Sequence, residues 1–234
     1  MLAFTDADCV PEPDWLASGL RALAAGAELV QGRVGPPPGH GAGPFDRILW
    51  VTGERGLYET ANLFVTRALF NRLGGFESWL APRRGIELGE DVWLGWGARR
   101  AGARTAFAEG AVVNHAVHQR RAAGFVAEQT RRRFFPALVH RIPELREALL
   151  WGRVFFDARS AGFDLALVGC TGALVGRRPA SLLLAAPCGA LVARQAAGWG
   201  PRLAPRVAVA GVVADAVGAA ALLLGSVRYR SLVL

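Results

Sequence analysis

The chain has 234 residues, 52% of them hydrophobic, enough for one large domain or a domain with an appendage, each with a core of its own. Its net charge of +8 is carried on the basic side by Arg alone, since no Lys occurs anywhere in the sequence. With no zinc knuckle, RNA-binding signature or basic recognition helix, that charge argues for anionic lipid or phosphate-bearing partners and against nucleic acid.

The amino terminus reads as an interior strand, not as a signal peptide, because no basic region and cleavage site frame its apolar residues. Leu2 to Val10 is a short apolar run broken by Asp6-Ala7-Asp8, a strand that delivers two carboxylates at its end. Two acids one residue apart are suited to hold Mg²⁺ or Mn²⁺ against a diphosphate, and equally suited to a polar turn that caps the next helix. Asp14 to Ala25 has Trp15, Leu16, Leu20 and Leu23 at helical spacing and stops at Gly26; Glu28 to Val34 alternates as a second strand. A Pro and Gly loop follows, and Phe45 to Leu57 is predicted as a helix with Phe45, Ile48, Leu49 and Trp50 on its apolar face.

Asn62 to Glu77 predicts a short strand, a helix from about Thr66, and a stop at Gly74-Gly75. Trp79 to Leu88 is predicted as a loop, either a cover over a ligand or plain exposed chain. Gly89 to Gly102 predicts a helix with Glu90 and Asp91 in its first turn and Arg in its last. Acids there are ordinary partners of the helix dipole, and the same dipole would keep Asp91 ionised as a proton acceptor. Thr105 to His115 alternates as a strand and brings His115 and His118 to its end, as structural side chains or as metal or phosphate ligands.

Ala122 to Leu150 is predicted helical, with Arg131-Arg132-Arg133 beside Phe134 and Phe135, a membrane-facing or phosphate-facing stripe or a solvated one. Beyond Ala161 three apolar segments follow, Leu165 to Gly176, Ala180 to Ala193 and Val207 to Val227, separated by Arg-bearing turns. The last approaches the roughly 20 apolar residues that cross a bilayer. It carries Asp215 near its centre, which costs about 2.5–3.5 kcal/mol on insertion scales. Arginines flank the segments on every side, so no orientation follows from them. Cys9, Cys170 and Cys188 are widely spaced and suggest neither a disulfide framework nor a zinc site, which makes a reducing compartment the default.

The ordered set Thr5-Asp6-Ala7-Asp8, Asn62 to Glu77, Gly89-Glu90-Asp91 and His115 resembles the family-two glycosyltransferases of the GT-A fold, over roughly the first 120 residues. The resemblance implies an α/β fold, a partial GT-A Rossmann-like sheet with flanking helices, followed by a hydrophobic helical region. It divides the chain into a partial transferase domain over 1–120, a basic amphipathic connector over 121–159 and an apolar, membrane-associated region over 160–234. It implies inverting, metal-dependent transfer of a sugar from a nucleotide-sugar donor to a saccharide or lipid-linked acceptor. Asp8 and His115 would be metal ligands for Mn²⁺ or Mg²⁺, and Asp6 a nucleotide-side contact. Asp91 would be the base and Glu90 its helper, with Asn62 on the acceptor side. Gln129 to Arg133 resembles the Gln-x-x-Arg-Trp motif of processive members, which would put Arg132 on substrate, but Arg133 stands where Trp belongs, so no polymer synthase is implied.

The family's nucleotide-binding half lies upstream of the Asp-x-Asp strand. The resemblance therefore implies a carboxyl-terminal part of a transferase, at the cytoplasmic face of the cell membrane. Two other readings compete. Asp6-Ala7-Asp8-Cys9-Val10 also resembles the opening of haloacid-dehalogenase-type phosphatases, with Asp6 as nucleophile and Asp8 as acid or base, although the chain lacks that family's Lys. A membrane-associated remnant or subunit without turnover is the non-enzymatic alternative.

Overall fold

The structure, a computed structural model, describes residues 1–80 and 88–234. The loop expected over Trp79 to Leu88 therefore lies largely outside the described residues. The chain forms two compact units: a sheet unit, Met1–Ala42 with Arg47–His118, and a helical unit, Gly43–Asp46 with Gln119–Leu234.

The sheet unit is α/β, built on a five-stranded mixed sheet. In chain order its strands are β1 (Leu2–Phe4), β2 (Cys9–Pro11), β3 (Leu29–Gly35), β4 (Leu63–Val65) and β5 (Thr105–His115), arranged β1-β4-β3-β5-β2. Only β3 and β5 run parallel; the other neighbours are antiparallel. The opening stretch is thus two strands at opposite edges. A turn closed by Cys9 N–H donating to the Asp6 carbonyl (3.1 Å) redirects the chain between them.

Helix α1 (Trp15–Ala24) packs on β5 and β3, with Trp15 and Leu23 against Val30, Phe64, Ala108 and Ala111. Gly19 is required there, because a Cβ would fall 2.4 Å from the Phe64 ring. Helix α2 (Arg67–Arg72) starts where expected. Thr66 caps it by accepting from Leu69 N–H, and Gly74 and Gly75 end it with left-handed backbone. Helix α3 (Glu90–Arg100) is also as expected, bounded by left-handed Gly89 and Gly102.

The helix expected from Phe45 to Leu57 does not form. Its apolar residues serve two cores: Phe45 is buried among Ala196, Val207 and Ala210 in the helical unit, while Val51 bridges to Val34 in the sheet unit. Asp46 turns the chain instead, accepting from Gly43 N–H at 2.7 Å.

In the helical unit, the expected run from Ala122 is broken into α4 (Ala122–Glu128), a 3₁₀ turn Gln129–Phe134, α5 (Phe135–Arg141) and α6 (Leu145–Ala148). Pro136 starts α5 and Pro143 separates it from α6, as the missing proline N–H dictates. Then come α7 (Ala158–Leu174), capped by a reciprocal Asp157–Ser160 box, a 3₁₀ segment Pro179–Ala185, α8 (Ala186–Ala197) and α9 (Gly200–Tyr229). Small residues on one face of α9 let its neighbours approach closely. A Cβ at Gly225 would lie 2.2 Å from the Arg133 carbonyl, and one at Gly218 would lie 3.1 Å from the Arg132 guanidinium.

Asp215, the charge expected to burden α9, is held by Arg159 of α7 in a two-pronged ion pair, Nε to Oδ1 at 2.6 Å and Nη2 to Oδ2 at 2.9 Å. Arg159 also donates to Gln195 of α8, so one guanidinium ties three helices together.

Candidate active site

Four side chains converge where β1 ends, the turn closes and β5 stops. The ligand-type atoms of Asp6, Asp8, Cys9 and His115 all lie within 4.8 Å of one another. Each is placed by backbone. Asp6 follows β1, Asp8 sits in the turn, and Cys9 opens β2 directly opposite His115 in the antiparallel register. The Asp8 carbonyl accepts from Ala116 N–H at 2.9 Å, fixing the turn on the end of β5.

His115 is buried, and its Nδ1 lies 2.8 Å from the Ala116 carbonyl, so Nδ1 carries the proton and Nε2 presents its lone pair to the cluster. That Nε2 is 3.6 Å from Asp8 Oδ1, while His118 Nε2 lies 2.9 Å from Asp8 Oδ2. Burial alone would raise the Asp8 carboxyl. The His118 hydrogen bond, aided by the neighbouring His115 ring, outweighs it and holds Asp8 below the usual carboxylate range. Two carboxylates and an imidazole with a free lone pair fit a divalent ion. The nitrogen donor and nearby thiol suit Mn²⁺ better than the harder Mg²⁺.

The second acidic group lies at the start of α3. Tyr58, in left-handed backbone (φ 53°), lays its ring on α3 at Gly95, where a Cβ would be 1.9 Å away; Trp96 donates to the Gly56 carbonyl at 2.9 Å. This docking holds the first turn of α3 near Glu59, whose charge Asp91 feels. Burial raises the Asp91 carboxyl to about 7; Val92 N–H opposes the rise by donating at 2.7 Å, and the charges of Glu90 and Glu59 add to it. The helix dipole was expected to keep Asp91 fully ionised, but desolvation is the larger effect. Glu59 is raised by burial too, and Glu90 Oε2 is buried with no hydrogen-bond partner among the described residues.

Two of the expected site residues have other surroundings. Asn62 was expected on the acceptor side, but it is 0% exposed and works inside the sheet. The β3–β5 ladder slips between Gly32 and Arg33, and Asn62 Nδ2 donates to the Arg33 and Ala111 carbonyls there (2.9 and 2.7 Å), while its Oδ1 accepts from Trp15 at 2.8 Å. Arg132, expected on substrate, belongs to the helical unit. Its guanidinium lies over the Phe156 ring (4.6 Å) and against α9 at Gly218, enclosed by that unit's own side chains.

Cys9 and Glu59 join the acidic groups without having been assigned to the site, and His118, offered beside His115 as a structural side chain or ligand, holds Asp8. Adjacency to Asp8 was a signal for Cys9; Glu59 had none. No family model, curated protein or solved structure matches the chain. The functional reading therefore rests on the site's own chemistry.

Proposed function

We propose that the chain is a metal-dependent, inverting glycosyltransferase that moves a sugar from a nucleotide-sugar donor to an acceptor hydroxyl. The observation that carries this reading is the pairing, in one unit, of a cluster suited to a divalent ion with a separate carboxyl whose proton affinity is tuned to neutral pH. Asp6, Asp8 and His115 would hold the ion, which when bound neutralises charge on the departing diphosphate. Asp91 takes the proton of the acceptor hydroxyl, whose oxygen bonds to the anomeric carbon as the diphosphate leaves with the electrons of the broken bond. Glu90, beside it, orients the acceptor and keeps Asp91 basic by repulsion.

The helical unit supports membrane association as part of the same proposal. Pro179–Ala197 and Gly200–Tyr229 have mean hydropathies of 1.3 and 2.3, and the second, about 45 Å long at 1.5 Å per residue, exceeds a bilayer's hydrocarbon thickness. Leu174, Val175, Leu183 and Val227 are each at least 74% exposed, and Asp215 is already neutralised by Arg159. The three cysteines are free, which suits the cytoplasmic face we propose.

Calorimetry with nucleoside diphosphates, with and without Mn²⁺, followed by transfer assays over a nucleotide-sugar panel, tests the assignment. Asp8→Asn is expected to abolish metal-dependent binding; Asp91→Asn is expected to abolish transfer and spare binding. Normal transfer by both variants would overturn the site. Absence of nucleotide binding by the unaltered chain would favour a non-catalytic membrane subunit.

A further inference from the structure

Within the helical unit, a groove of about 740 Å³ runs between α4 with its following 3₁₀ turn and α9, inside the range of about 300–1,000 Å³ typical of small-molecule sites. Its walls are hydrocarbon: Ala123, Val126 and Ala127 on one side, Val209, Val213 and Val217 on the other. From Arg206 to Val217 the wall of α9 extends about 16 Å at 1.5 Å per residue, the length of an extended alkyl chain of about a dozen carbons, along an open groove. The charge is all at one end. Arg206 lines the groove there, stacked on Phe45 (5.7 Å) and without a carboxylate partner among the described residues. Arg121, adjoining the lining residue Ala122, is exposed beside the start of α4. Among the described residues, no acid lines the groove.

We infer that this groove binds one hydrocarbon chain of a lipid phosphate, its phosphate monoester held by Arg206 and Arg121. Two guanidiniums match the charge of about −1.5 to −2 on such a head, and Arg grips phosphate oxygens in pairs. A second copy's apolar helix would fill the slot but leave Arg206 unpaired in an apolar contact. The inference stands apart from the transferase reading, since it concerns the helical unit alone and is read without turnover.

The test places the full chain in phosphatidylcholine nanodiscs with a dodecyl phosphate bearing a terminal diazirine, cross-links by light and maps the labelled peptides. Label is expected to concentrate on residues 122–130 and 205–217. Excess dodecyl phosphate should compete it away, and dodecanol should not. Val213→Trp, or Ala123→Trp on the opposite wall should the first misfold, should cut labelling about tenfold by filling the slot. Arg206→Gln should weaken competition about fivefold, the loss of one charge-assisted contact. Equal label at Leu174, Val175 and Leu183, equal competition by dodecanol, or peptide cross-links between two copies would each overturn the inference.

Discussion

Asp91 in the sheet unit and Asp215 in the helical unit are both aspartates set in helices, but among the described residues only Asp215 has a cation against it. Arg159 meets both of its oxygens, and Gln195 completes the network. Around Asp91 the charges felt among the described residues are Glu90 and Glu59, both of the same sign, and Glu90 Oε2 lacks even a hydrogen-bond donor among those residues. Such crowding of buried acids is costly to hold in a folded chain, and groups of this kind concentrate where chemistry uses them. A fully paired charge such as Asp215 needs no such explanation. It registers one helix against two others.

The largest expected effect comes from breaking the paired case. Asp215→Ala leaves the Arg159 guanidinium uncompensated against α9 and should cost about 3–5 kcal/mol, read as a lowered unfolding midpoint in detergent. Combining Arg159→Met with Asp215→Leu should recover most of that loss, since an apolar pair of similar volume avoids the desolvation. If the single variant were neutral, the pair would be ornamental and the contrast with Asp91 would disappear.

Asp91 should behave in the opposite sense. Its carboxyl is raised in the folded chain to about 7 from an ordinary 3.8, so between those pH values the folded state keeps a proton that the unfolded state has released. Stability from this group is therefore undiminished below about pH 4, falls as pH rises toward 7, and is flat beyond. At 1.36 kcal/mol per pH unit the loss is roughly 2–4 kcal/mol once partial solvent access is allowed for. Asp91→Asn should thus be more stable than the parent at pH 8 and equal to it at pH 4. In the parent, transfer should rise with pH through about 7 as the base form accumulates. A variant less stable at pH 8 would mean that Asp91 is a structural carboxylate.

What was legible in the sequence was local. Alternation over Thr105–His115, the helix start near Thr66, the Gly74-Gly75 stop and the acidic first turn of α3 each depend on neighbours within a few residues, and all four appear as expected. Asp6, Asp8 and His115 do meet. The failures were non-local. Phe45 and Val51 sit at helical spacing, yet they feed different cores, and no periodicity within the segment reveals that. Asn62 has the chemistry of a binding residue, but a slip in the ladder between strands far from it in sequence claims both of its donors. The ionisation of Asp91 followed the same rule: the dipole could be read from one helix, whereas the burial that outweighs it could not.

Asp8 lies between the two extremes, 40% exposed, with one oxygen toward His118 and the other toward the metal-type cluster. The smallest expected effect tests which side of the comparison it belongs to. In His118→Ala the Asp8 carboxylate loses its orienting partner but keeps its place in the turn, because the Asp8 carbonyl is still held by Ala116 N–H. Mn²⁺ affinity measured by calorimetry should fall about tenfold, the lower end for loss of a group that orients a ligand, and His118→Gln should restore part of it. A fall as complete as that of Asp8→Asn would make His118 a ligand in its own right. No change would mean that Asp8 is positioned by backbone alone, and that in the sheet unit side-chain pairing plays no part in aiming either acid.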